Sequence, residues 1–127
     1  MDYIISVIIG GVAMAAIDLP VIAFVIKPTL VKYAPQLVAK KPDGLAALIF
    51  YVGYVTLVVY LSQLGLDVEG QASEVARRGA LLGLFAYGTY EFTNKAVIKG
   101  WPWQMVALDT AWGVVLTSAV AYIAYIV

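Results

Sequence analysis

Neither cysteine nor histidine occurs in this chain of 127 residues. Without cysteine there is no disulfide, no nucleophilic thiolate and no ligand set for an iron–sulfur cluster. Without histidine, imidazole ligation of haem, zinc or copper is excluded, and the commonest general base goes with it. Charge is scarce too. Only 13% of the residues are charged, against about a quarter in soluble domains, and eight acids balance eight bases. A zero net charge offers no electrostatic footprint for nucleic acid. The start "MDYII" has no basic residue ahead of the first apolar run, and that run is far longer than a signal-peptide core, so no cleaved secretory leader is expected.

What the chain does contain is apolar sequence, at 63% of residues, in long uninterrupted runs. The run 3–26 carries one charge, Asp18; the run 44–66 carries none; the run 100–127 carries one, Asp109. Each exceeds the ~20 residues a helix needs to cross a hydrocarbon core. A fourth run, "GALLGLFAYGTY", is confined between Arg78 and Glu91 and is much shorter. As a helix it would reach roughly 18 Å, so it spans only by continuing through Glu91 and Asn94 toward Lys95 or Ile98. The fold class read from this pattern is all-α: an integral membrane four-helix bundle in a single domain, with helices at about 3–26, 44–64, 75–97 and 102–126.

The connections follow from turn chemistry. The first, "KPTLVKYAPQLVAKKPDG", holds three of the five prolines and is expected to be an irregular interfacial segment with one short turn between Pro28 and Pro35. Ser73 is the expected N-cap of the third helix, and Pro102 suits the first turn of the fourth. Lys27, Lys32, Lys40, Lys41, Lys95 and Lys99 fall on one side of the membrane and only Arg77 and Arg78 on the other. That asymmetry predicts the first and third connections in the cytoplasm and both termini outside. Trp101, Trp103 and Tyr33 are then expected in the cytoplasmic interfacial belt, with Tyr3, Tyr60, Tyr122 and Tyr125 in the opposite one.

Three acids lie inside this apolar sequence. Asp18 is nine residues before Lys27, Asp109 eight after Trp101, and Glu91 four before Lys95. At 1.5 Å per residue, all three fall about 6–13 Å inside the cytoplasmic boundary, and Tyr51 and Tyr54 lie about 12–16 Å beyond Asp43. Facing agrees with depth. At 100° per residue Gly83, Tyr87, Glu91 and Asn94 share a stripe; Asp109 lies with Trp112, Gly113 and Leu116, and Asp18 with Gly11, Met14 and Ala15. Small residues on a stripe admit a neighbouring helix, so these faces are expected to turn inward. Buried acids need compensation. A shared proton, a bound cation, or a lysine (Lys27 or Lys95) folding back would each supply it.

The strings "GALLGLFAYGTYEFTN", "WP" and "LDTAWGVVLT", with Asp18 late in the first helix and Phe50, Tyr51 and Tyr54 in the second, resemble a family of small bacterial four-helix membrane proteins, domain of unknown function 2177. The resemblance is most specific over residues 79–117. It implies the four-helix architecture, this choice of polar residues and residence in a bacterial inner membrane, and it brings no activity. Two positions depart from the family pattern: Glu91 stands where the family has aspartate, and "DLPVIAF" lacks a tryptophan that follows the first-helix aspartate.

Three functions fit these residues. In the first, Asp18, Tyr51, Tyr54, Tyr87, Glu91, Asn94, Asp109 and Trp112 line a pocket in the cytoplasmic half of the bilayer, binding or transporting a cation, proton or small amphiphile. Four short helices enclose little volume, so transport would call for an oligomer. In the second, the polar layer fixes helix register in a structural or assembly subunit of a larger membrane complex, since polar side chains serve as interhelical glue. In the third, Glu91 or Asp109 acts as general acid or base on a lipid or prenyl substrate, a reading weakened by the lack of a nucleophile. The lipid bilayer is the one partner common to all three, and no cofactor is indicated.

Overall fold

The computed structural model describes residues 3–41, 43–66 and 70–127. The described residues form four long helices and no strand: α1 Tyr3–Tyr33, α2 Gly44–Gln63, α3 Ala72–Val97 and α4 Trp103–Ile126. Helices α1, α2 and α4 are long and apolar enough to cross a membrane. Helix α3 has 26 residues, about 39 Å of length, but carries Glu74, Arg77, Arg78, Glu91 and Lys95. The "MD" start and the expected punctuation at Asp67 lie outside the described residues.

Contacts between named residues define the topology. Tyr3 meets Tyr60 and Asp18 meets Tyr51, so α1 and α2 run antiparallel. A Cβ on Gly79 would meet Ala121 and one on Gly83 would meet Gly113, so α3 and α4 are antiparallel as well. Helix α4 packs against all three others. Its inner face supplies Leu116, Val120 and Ala124, which join Met14 of α1 with Val55 and Val59 of α2 in the main core. The outward residues Ile4, Ile8, Val12, Phe24, Leu48, Val52, Phe85 and Val115 are exposed, as expected of side chains that face acyl chains.

Helix α1 corrects the expected boundary. It runs through Pro20 and Pro28 to Tyr33, and the predicted irregular segment starts only beyond it, with a single 3-10 turn at Pro35–Leu37. Between Pro20 and Pro28 the helix opens into a π segment, Ile22–Ile26, in which the Lys27 N–H donates to Ile22 O. This is the local adjustment that lets a helix absorb a proline without breaking. Thr29 Oγ1 donates to Val25 O at 2.7 Å, occupying another carbonyl near the break. On either side of Pro28, Ile26 and Leu30 pack against Trp101, Met105 and Val106, and that burial holds the extension in place.

The other ends differ in detail. Helix α2 begins with Asp43, whose side chain accepts from Ala46 N at 3.1 Å. Asp43→Ala is expected to cost about 1 kcal/mol of stability, read as a lower denaturant midpoint at unchanged helical content. The expected N-cap Ser73 lies instead inside the first turn of α3. Gln71 is the cap, and its carbonyl accepts from Val75 N. Pro102 caps α4 one residue ahead of its expected place, its carbonyl accepting from Met105 N and Val106 N. Gly100, at φ +84°, makes the tight turn between α3 and α4 that a side chain would strain. Outside the apolar part of α3, Arg77 and Arg78 donate to the Glu74 carboxylate and hold it down to about 2, so it is ionised at neutral pH.

Candidate functional site

The site is built where α3 crosses α4. A Cβ on Gly83 would lie 2.1 Å from Gly113 O, and one on Gly113 would lie 2.2 Å from the Tyr87 ring. Glycine at both positions brings the helices together until the Tyr87 ring lies over bare backbone. Ser118 Oγ donates to Ala76 O at 2.9 Å farther along the same crossing, which helps set the register. That register brings Glu91 level with Asp109.

The acids fall into two groups. Asp18 is buried and accepts two hydrogen bonds: from Tyr51 OH at 2.5 Å and from Trp112 Nε1 at 2.8 Å. Both carboxylate oxygens are served by donors on two other helices. Glu91, fully buried, accepts from Trp101 Nε1 at 2.9 Å through Oε1. Its Oε2 receives no N–H or hydroxyl donor among the described residues. The half-buried Asp109 carboxyl lies beside Glu91. Neither Lys27 nor Lys95 pairs with an intramembrane acid among the described residues. Lys95 Nζ donates to Trp101 O at 2.8 Å and lies 5.1 Å from the Trp103 ring.

Tyrosines join the two groups. Tyr87 lies within electrostatic reach of Asp18, Tyr51, Tyr54 and Asp109. Tyr54 and Thr117 share a hydrogen bond of 2.6 Å, and the Tyr54 ring packs edge-on against Tyr87 and stacks on Phe50. Beside them opens a cavity of about 290 Å³ lined by Phe50, Ala86, Tyr87, Tyr90 and Asp109. Its rim residues Phe50 and Tyr90 are 47% and 56% exposed, so it opens sideways between α2 and α3 toward the lipid.

Of the residues picked from sequence, Asp18, Tyr51 and Trp112 come together in one bonded cluster. Glu91 and Asp109 form the second, Tyr87 stands between them, and Tyr54 bonds to Thr117. Asn94 is half-buried, and its side chain makes no hydrogen bond among the described residues. Trp101 corrects the expected belt. It is 7% exposed and turned inward onto Glu91, while Trp103 remains exposed. Tyr90, 6.2 Å from the Trp101 ring, connects that residue to the cavity.

A helical bundle with three long apolar spans and a polar layer turned inward defines a small integral α-helical membrane protein. Over residues 3–126 the chain matches the model of a family described as predicted membrane protein, DUF2177, and it belongs to that family. No curated protein and no solved structure matches the chain.

Proposed function

We propose that this protein binds a small amphiphile that enters the cleft between α2 and α3 from within the bilayer. The apolar part lies against Phe50, Tyr87 and Tyr90, and the polar end reaches Asp109. The supporting observation is the cavity itself: aromatic rings and one alanine methyl form the walls, with one carboxyl among them. Its volume of about 290 Å³ stands at the lower limit of small-molecule sites, which favours a small ligand. All lining residues come from one chain, so binding needs no second copy. The layer lies nearest the lysine-rich ends of the helices, which by the positive-inside rule is the cytoplasmic half of a bacterial inner membrane, with both termini on the far side.

A structural role fits the Asp18 cluster better than the cavity. Both Asp18 oxygens are filled by Tyr51 and Trp112, which leaves little for a ligand and much for fixing α1 against α2 and α4.

The test is saturation-transfer NMR in nanodiscs of deuterated lipid, with hexyltrimethylammonium and 1-octanol as probes. At least one probe is expected to show saturable contact with the tyrosine rings of the wild type. Ala86→Phe, which fills the cavity, is expected to abolish that contact while unfolding is unchanged. No saturable contact from either probe, or equal contact in Ala86→Phe, overturns the proposal.

A further inference from the structure

We propose that the head of the amphiphile is a hydroxylated aromatic ring, seated among Phe50, Tyr87 and Tyr90 with its O–H on the Asp109 carboxyl. This rests on the amphiphile reading above and deepens it by naming the chemical class of the head.

The first argument is ring packing. Phe50 stacks on Tyr54, with centroids 5.0 Å and planes 14° apart, and Tyr54 meets Tyr87 edge-on at 6.0 Å. A second set, Tyr90 and Trp101, meets edge-on at 6.2 Å. Members of both sets line the cavity, and no ring contact joins one set to the other among the described residues. A flat ring placed there would meet both sets in the stacked and edge-on geometries that aromatic pairs prefer. An alkyl chain would fill the same space without that gain.

The second argument is the polar equipment of the wall, which Asp109 and the two tyrosines supply. The Tyr87 and Tyr90 hydroxyls make no hydrogen bond among the described residues. A ligand hydroxyl both donates and accepts, so it can donate to Asp109 and accept from a tyrosine. A carboxyl can accept in either protonation state, so the match holds whichever state Asp109 adopts. A quaternary ammonium has neither a hydrogen to donate nor a lone pair, and leaves the tyrosine hydroxyls unused. A carboxylate head would meet Asp109 with no base on the wall, since Lys95 is turned to Trp101 O and the Trp103 ring.

The third argument is size and entry. A cavity of about 150 Å³ suffices for benzene, so about 290 Å³ takes one substituted ring and the first carbons of a tail. Asp109 is half-buried, whereas Phe50 and Tyr90 form an exposed rim. The hydroxyl therefore lies at the inner end, and the tail leaves through the mouth into the acyl chains.

Saturation-transfer NMR titrations in deuterated-lipid nanodiscs would compare para-hexylphenol, para-hexylanisole, hexyltrimethylammonium and 1-octanol, with concentration expressed as mole fraction in lipid. The anisole keeps the ring and loses the O–H, while octanol keeps the O–H and loses the ring. The phenol is expected to bind about tenfold more tightly than octanol and about three- to tenfold more tightly than the anisole. In Asp109→Leu, which removes the acceptor at similar size, phenol and anisole are expected to bind equally. This inference fails, while the amphiphile reading stands, if the phenol gains nothing over octanol or over the anisole. It fails in the same way if the ammonium binds more tightly than the phenol, or if the preference for the phenol survives Asp109→Leu. If neither octanol nor the ammonium shows saturable contact, or if phenol contact survives Ala86→Phe, that reading fails and this inference with it. The four-probe comparison on the wild type decides the matter even if Asp109→Leu does not fold.

Discussion

Gly83→Ala is expected to break the packing of α3 on α4 and to lower stability by about 3 kcal/mol or more. The added Cβ would sit 2.1 Å from Gly113 O and 2.7 Å from Gly113 C, and both are backbone atoms. A flexible side chain could move aside; a helix backbone moves only by displacing its whole segment. Ordinary overpacking costs about 1–3 kcal/mol, so a clash with main chain belongs at or beyond the upper end. Gly11→Ala is the matched control. Nothing lies within 4 Å of its Cβ, and alanine favours the helix by roughly 0.5–1 kcal/mol. Unfolding in sodium dodecyl sulfate, followed by helical circular dichroism, should separate the two in opposite directions. A Gly83→Ala midpoint equal to wild type would show that the helices do not approach this closely.

The second large effect is expected at Asp18, where two donors from different helices converge on one carboxylate. Hydrogen bonds to charged groups contribute about 1.5–3 kcal/mol, while interhelical bonds between neutral groups in membranes average about 0.6. Tyr51→Phe and Trp112→Phe should therefore each cost about 1.5–3 kcal/mol in the Asp18 background and well under half of that in the Asp18→Asn background. The cycle matters because Trp112→Phe also removes volume, and comparing backgrounds cancels that contribution. Equal costs in both backgrounds would mean that the Asp18 carboxyl contributes nothing to either bond.

Much of the architecture is legible without coordinates. Span number follows from run length between charges, and the bounds of α2, α3 and α4 fall close to those expected. The stripe carrying Gly83, Tyr87 and Glu91 faces inward because its period is a local property of the helix. The end of α1 is not legible in this way. Proline is a helix breaker in isolation, and only the packing of Ile26 and Leu30 on Trp101 stabilises the π adjustment. The inward turn of Trp101 escapes the sequence for the same kind of reason, since interfacial tryptophan is a statistical habit and inward burial is a contact.

Span lengths, the missing thiol and imidazole chemistries, and the positions of Asp18, Glu91 and Asp109 along their helices were determined by the sequence alone, because each depends on order along one chain. Tertiary structure decided which donor meets which acid. It also decided that the acids divide into a bonded cluster around Asp18 and a neighbouring pair, Glu91 and Asp109, and that a cleft opens beside the pair. Those outcomes depend on how four helices rotate about their axes and how closely they approach. A rotation of about 100° separates neighbouring residues, and two bare glycines opposite one another set the distance.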